Sequence, residues 1–115
     1  MAQNFEELQV WQRGSRLAVD TYQSIEHFTD FSFRDQLRRC SISIPSNIAE
    51  GAERNYKQDY IKFLRYSKGS TGELRTQLYI AMKLGLINPE KGNELVAESK
   101  ELSKMLQGLI NSIQS

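Results

Sequence analysis

Arg39-Cys-Ser-Ile-Ser-Ile-Pro-Ser-Asn-Ile-Ala-Glu50-Gly-Ala-Glu-Arg54 contains ten consecutive uncharged residues, in a chain of which 25% is charged. Wound as a helix, the stretch puts Leu37, Cys40, Ile44, Ile48 and Gly51 on one face. The opposite face carries Ile42, Ser43, Ser46 and Ala49, where a surface helix would carry Lys or Glu. A helix that is small-sided or apolar all round is covered on both sides. The chain is too short to wrap this one alone, so a second copy is expected to cover its outer face. Pro45 is the awkward residue, since an interior proline removes a backbone hydrogen bond and usually kinks the helix. Ser41-Ile-Ser-Ile44 also alternates like a strand. A lone four-residue strand would have no partner, whereas the apolar spacing 33, 37, 40, 44, 48 passes straight through the proline, so the helix over Phe33–Glu53 is preferred.

Three further helical patterns flank it. Upstream, about Glu6 to His27, Leu8, Trp11, Ser15, Ala18, Tyr22 and Ile25 repeat at threes and fours, with Val10 and Leu17 as a weaker line. Gly14 costs this helix roughly 1 kcal/mol against Ala, so close packing there must compensate. Phe28-Thr-Asp-Phe-Ser32 breaks the pattern, and Asp30 or Ser32 can cap the next helix. Downstream, Lys57 to Leu84 presents Tyr60, Phe63, Ser67, Ser70, Leu74, Leu78 and Ala81, with Leu64, Met82, Tyr66 and Ile80 to its sides. Gly69 and Gly72 permit close helix contact or mark a local irregularity, and Gly85 fits a left-handed C-terminal cap. Asn88-Pro89 then starts a last helix bearing Leu95, Ser99, Leu102, Leu106, Leu109 and Ile113. Short connections between four such helices predict one domain over residues 1–115, an all-α, antiparallel, up-down-up-down four-helix bundle.

The totals exclude several classes. No apolar run approaches the ~20 residues of a membrane span, and the first residues lack a signal-peptide layout, so a cytoplasmic location and no membrane partner are expected. Cys40 is the single cysteine; on the apolar face it reads as a packed small hydrophobe. His27, the one histidine, has no metal-ligand partner at the right spacing. Lys68-Gly-Ser-Thr-Gly72 has its lysine before the glycines, and so is no phosphate loop. No catalytic residue, metal site or cofactor is expected, and the protein reads as a non-enzyme.

Charge is uneven although the net is +1. Residues 1–30 carry two basic and five acidic side chains, whereas residues 56–85 carry six basic and two acidic. On the third helix Lys57, Lys62, Arg65, Lys68, Arg75 and Lys83 face away from the core with Tyr79 among them, a strip that can meet an RNA or DNA backbone. The alternative for such a strip is a solvated outer face. Repetition in an oligomer would make weak strips act together. Arg39, Glu50, Arg54 and Glu73 form a second set. If a partner covers the outer face of the second helix, these charges must pair across the interface, since burying one alone is costly; the alternative is four independent solvated charges.

Gln36-Leu-Arg-Arg39, Ser43-Ile-Pro-Ser-Asn-Ile-Ala-Glu-Gly51, Arg54, Phe63-Leu64, Gly69-Ser-x-x-Glu-Leu74 and Gln77-Leu78 together resemble the bacterial four-helix-bundle family of 23S ribosomal RNA intervening-sequence proteins, over nearly the whole chain. Members are often encoded within insertions in large-subunit ribosomal RNA genes, which is a genomic address. A related branch holds the accessory variability determinant of diversity-generating retroelements, a basic pentameric barrel that binds a reverse transcriptase and nucleic acid. The resemblance implies a cyclic pentamer and a nucleic-acid-associated role. This sequence departs from that branch in its nearly balanced charge. The competing reading is a scaffold whose ring presents a surface to a protein partner.

The assembly expectation is open to a direct test. Ser46→Lys or Ala49→Lys should yield monomers or insoluble protein in sedimentation velocity runs. Retention of the native mass by both variants would remove the outer face of the second helix as a contact.

Overall fold

Pro45 lies inside an unbroken helix. In the computed structural model, which describes residues 4–115, that helix runs Phe31–Glu53 (α2), preceded by Gln9–Ile25 (α1) and followed by Lys57–Lys83 (α3) and Pro89–Gln114 (α4). Among the described residues there is no strand, so Ser41–Ile44 is helical. No helix among them is long and apolar enough to cross a membrane. The molecule measures 44 × 21 × 19 Å; a 27-residue helix is about 40 Å long, so the helices lie along the long axis. Each helix touches its two neighbours, α1 with α2 and α4, α3 with α2 and α4.

The termini follow from local chemistry. Asp30 Oδ1 accepts the Phe33 N–H at 3.0 Å, so Asp30 is the cap of α2. Asn88 Oδ1 accepts from Glu90 N at 2.8 Å, with Pro89 in the first turn of α4. At the end of α3, Gly85 has φ +72°, Leu86 N–H reaches the Ala81 carbonyl and Gly85 N–H that of Met82. That pair of bonds is a Schellman cap. The α2–α3 link is only Arg54 to Tyr56 and turns through Asn55 at φ 63°, a conformation asparagine tolerates better than most residues. The first helix is shorter than its pattern, because Phe5–Glu7 forms a separate 3-10 turn and the helix stops at Ile25.

Three helix faces sit differently from their sequence patterns. The buried residues of α1 are Val10 and Leu17 of the weaker line, Ala18 and Ile25 of the main line, and Gly14 and Thr21 of neither, while Trp11, Ser15 and Tyr22 are half-buried flanks. Large rings do not fit the crowded axis. Trp11 instead meets Phe5 edge-on at 5.3 Å, and Tyr22 lies beneath the Arg38 guanidinium. On α3, Ile61, Leu64 and Thr71 are buried and Phe63 and Ser70 only half-buried, because the helix packs against α2 and α4 at once and its buried arc points between them. On α4 the buried line ends Leu102, Leu106, Ile110, leaving Leu109 and Ile113 half-buried. A straight helix keeps about 3.6 residues per turn and drifts off a strict heptad.

The bundle's waist is built from small groups. An added Cβ on Gly14 would stand 3.3 Å from Ile44 Cγ2 and 3.7 Å from Pro45 N, so α1 and α2 approach closely at the proline. On the other side of α2, Ser67 Oγ donates to the Ile44 carbonyl at 2.8 Å and Ser43 Oγ meets Ser70 Oγ at 2.7 Å. Ser41, Ser67, Thr71 and Ser99 are buried, and each hydroxyl donates to a carbonyl. Gly69 has open space where a Cβ would be, and Gly72 only the Arg75 side chain nearby, in a continuous helix. Within the chain they serve neither close helix contact nor irregularity.

Gly51 lies where the end of α2 meets the first turns of α3. A Cβ there would lie 2.9 Å from Phe63 Cβ and 3.2 Å from the Tyr60 carbonyl oxygen, groups rooted in backbone. Gly51→Ala should therefore lower stability by ~1–3 kcal/mol in urea unfolding. Gly108→Ala, which meets nothing within 4 Å, should be neutral or stabilising by up to ~1 kcal/mol. Equal midpoints for the two variants would contradict the close approach.

Candidate functional site

The chain sorts its charges by side. On α3, Lys57, Lys62, Arg65 and Lys83 are exposed. Lys68 and Arg75 do not stand clear of the fold as the helical spacing suggests. Both are half-buried along α4, where Lys68 Nζ donates to Gln107 Oε1 at 2.7 Å and Arg75 Nη1 to the Ser99 carbonyl at 3.3 Å. They lie at the α3 edge that faces α4, so their stems pack and their charges stay at the seam. The same seam adds two exposed cations absent from the sequence-derived set, Lys100 and Lys104. They occupy the α4 turns between Ser99 and Gln107, the two residues that Arg75 and Lys68 reach. Their signal in the sequence was spacing alone, and it became readable only once the α3–α4 register was fixed.

The acids of α4 turn the other way, towards α1. Glu98 holds Arg13 through both carboxylate oxygens at 2.6 and 2.9 Å. The Arg13 guanidinium is raised above its ordinary value, chiefly by that hydrogen bond, with the charges of Glu98 and Glu101 adding to it. Lys91 pairs with Asp20 at 2.9 Å and Glu94 at 3.4 Å, and its ammonium is raised chiefly by the Asp20 hydrogen bond. Glu98 is thus drawn to the α1 side and Glu94 to Lys91, leaving the ridge Lys68, Gly72, Arg75, Tyr79 and Lys83 without an acid among them, whereas exposed Glu101 stands beside Lys100 and one turn from Lys104.

The set Arg39, Glu50, Arg54 and Glu73 is split between two places. Glu50 and Arg54 pair within α2 at 3.3 Å, and Arg54 also approaches Asp59 at 3.8 Å and covers the Phe63 ring. Arg39 and Glu73 instead line a groove of about 670 Å³ between α2 and α3, with Gln36, Cys40, Ser43, Ser70 and Gln77. Eleven residues of helix separate Arg39 from Glu50, about 16 Å of rise, which is why one network cannot join all four. No ion pair joins Arg39 to Glu73, and Gln77 Oε1 is buried without a hydrogen-bond partner. Ser43 is turned into this seam and away from the outer face. The outer ridge keeps Ser46 exposed and Ala49 half-buried. Ile42 is 44% exposed and forms, with Ala18, Val19, Tyr22 and Gln23, an apolar groove of about 390 Å³ between α1 and α2.

Among the described residues no three His, Cys, Asp or Glu side chains gather as a metal site. His27 Nε2 donates to the Leu86 carbonyl at 3.0 Å and so ties the α1–α2 connection to the α3–α4 connection. Cys40 is buried at the foot of the polar groove, its thiol donating to the Ser70 carbonyl at 3.3 Å. Burial, followed by the Glu73 carboxylate, pushes that thiol up to about 12.

A family model described as 23S rRNA-intervening sequence protein matches residues 6–108. The fold is shared with a crystal structure of a protein with unknown function from the S23 ribosomal protein family of Bacteroides thetaiotaomicron. The two chains are 23% identical, over 88% of this chain and 97% of that one, with a TM-score of 0.82. No curated protein matches the chain.

Cys40 should resist thiol reagents at pH 8 until the protein unfolds, so that labelling follows the unfolding rate. Because the folded thiol ionises later than a free one, its contribution to stability is intact below the ordinary value of 9.0 and declines as pH rises towards about 12. Rapid labelling of the folded protein at pH 8 would contradict this placement.

Proposed function

The chain belongs to the 23S rRNA-intervening sequence protein family, and we propose that it is a non-enzymatic homo-oligomer that holds an RNA or DNA backbone on the basic face of α3 and α4. The observation that carries this reading is the separation of charge. Glu98 of α4 is engaged with Arg13 and Glu94 with Lys91, while α3 and the adjoining side of α4 present Lys57, Lys62, Arg65, Lys68, Arg75, Lys83, Lys100 and Lys104, with Glu101 as the acid that stands beside Lys100 and Lys104. A phosphate backbone is attracted to such a face even when the net charge is only +1. Neighbouring helices are inferred to run antiparallel. In support, Tyr22 meets Arg38 while Gly14 meets Ile44, and Met82 meets Gly92 while Lys68 meets Gln107.

Assembly is the second part of the reading. The outer ridge of α2, with Ile42, Ser46 and Ala49, and the apolar groove beside it supply a small-residue surface suited to a second copy. A ring of five, in the manner of the accessory variability determinant of diversity-generating retroelements, would present five basic faces and turn weak contacts into avid binding. A cytoplasmic setting belongs to the same proposal. One observation favours a protein-interaction scaffold instead: Arg39 and Glu73 stand unpaired across the polar α2–α3 groove, ready for opposite charges from a protein partner.

Fluorescence anisotropy with labelled RNA and DNA oligonucleotides separates these readings. The logarithm of the binding constant should fall linearly with the logarithm of salt concentration. The triple variant Lys62→Ala, Arg65→Ala, Lys104→Ala, which spares the Lys68 and Arg75 contacts with α4, should lower that slope by about three. Wild-type protein with no salt-sensitive binding would overturn the nucleic-acid reading, and protein partners would then be sought through Arg39 and Glu73.

A further inference from the structure

The ridge of α3 that meets α4 runs Lys68, Gly72, Arg75, Tyr79, Lys83, one residue per turn. Tyr79 is 46% exposed, and its ring has neither an aromatic nor a cationic neighbour. Tyr56, 72% exposed in the α2–α3 link, is likewise without such a neighbour, but other rings on the helices are covered. Phe31 lies under Arg34, Tyr22 under Arg38, Phe63 under Arg54 and Lys62, and Tyr66 meets Phe63 edge-on. The two cations that could cap Tyr79 are a turn away on each side. Arg75 is held instead by the Ser99 carbonyl, and Lys83 is exposed in the last turn. Gly72, one turn beyond Arg75, has no side chain to hold a ligand off the ridge.

We propose that Tyr79 is a stacking platform for an unpaired base, so that the basic face takes single-stranded nucleic acid in preference to duplex; this rests on the nucleic-acid reading of the same face. An aromatic ring open on its face, between cations that track phosphates, is the arrangement by which single strands are held without sequence preference. In a duplex the bases are stacked on one another, and Tyr79 would meet only sugar and phosphate.

The test uses the full-length protein, a 15-nucleotide oligo-dT, an oligo-rU of the same length, a DNA duplex of matched phosphate number, and a strand with abasic positions, all by anisotropy at one salt concentration. The single strands should bind about ten-fold more tightly than the duplex. Tyr79→Ala should lose about ten-fold in single-strand affinity, with duplex affinity and salt slope unchanged. Tyr79→Phe should bind as wild type does, and so should Tyr66→Ala, which removes an exposed ring on the α2 side of α3. Wild-type protein should bind the abasic strand as weakly as Tyr79→Ala binds oligo-dT. Salt-sensitive binding that is indifferent to Tyr79 and to the abasic positions would overturn the stacking platform and leave the basic face standing. Absence of any nucleic-acid binding would overturn both.

Discussion

A proline in the middle of a 23-residue helix constrains what can stand beside it. The missing N–H leaves the Ser41 carbonyl without its usual donor, and the ring pushes against that turn. The fold tolerates this because the neighbours at that level are small. α1 contributes Gly14. α3 contributes Ser67, whose hydroxyl reaches the Ile44 carbonyl directly. Within α2 itself, Asn47 Nδ2 donates to the Ser43 carbonyl and Ser41 Oγ to that of Arg38. These bonds serve the carbonyls of Ile44, Ser43 and Arg38 and not the one that Pro45 frees, so the cost of the proline, about 3 kcal/mol in an isolated helix, is offset by the close packing of small groups around it.

From this waist the remainder of the architecture follows in both directions. Towards the α2–α3 hairpin the helices must approach within backbone distance, which Gly51 allows beside Tyr60. Towards the other end Phe28 and Phe33 stack at 6.2 Å, near the connections that His27 and Leu86 tie together. Fixing α2 in this way also fixes the register of α3, and through Lys68, Arg75 and Met82 that of α4.

Register is what turns a scatter of charges into faces. Glu98 is paired with Arg13 and Lys91 with Asp20, so one acid and one base of α4 are neutralised against α1. The cations of α3 find only amide and carbonyl partners on α4, which leave their charge intact at the surface. The result is a nearly neutral chain with a basic side, a distribution that a total of +1 conceals. The polar α2–α3 groove, by contrast, sets Arg39 and Glu73 on facing walls without joining them.

Helix number, the passage of α2 through Pro45, the Asn88 cap and the buried line from Leu37 to Gly51 were all legible in the sequence, with Asp30 as one of two candidate caps, because each depends on residues within one or two turns of each other. Periodicity misjudged the centre of α1, where bulky Trp11 and Tyr22 outweighed Gly14 in the pattern although only the small residue fits at the axis. It likewise could not separate Glu50 and Arg54 from Arg39 and Glu73, or bring Lys100 and Lys104 beside Lys68 and Arg75. By itself the sequence determined which segments are helical, and their ends to within two or three residues. Only the tertiary structure decided which helix faces meet and which charges share a surface, because the rotation of one helix against another is set by packing of side chains far apart in the chain.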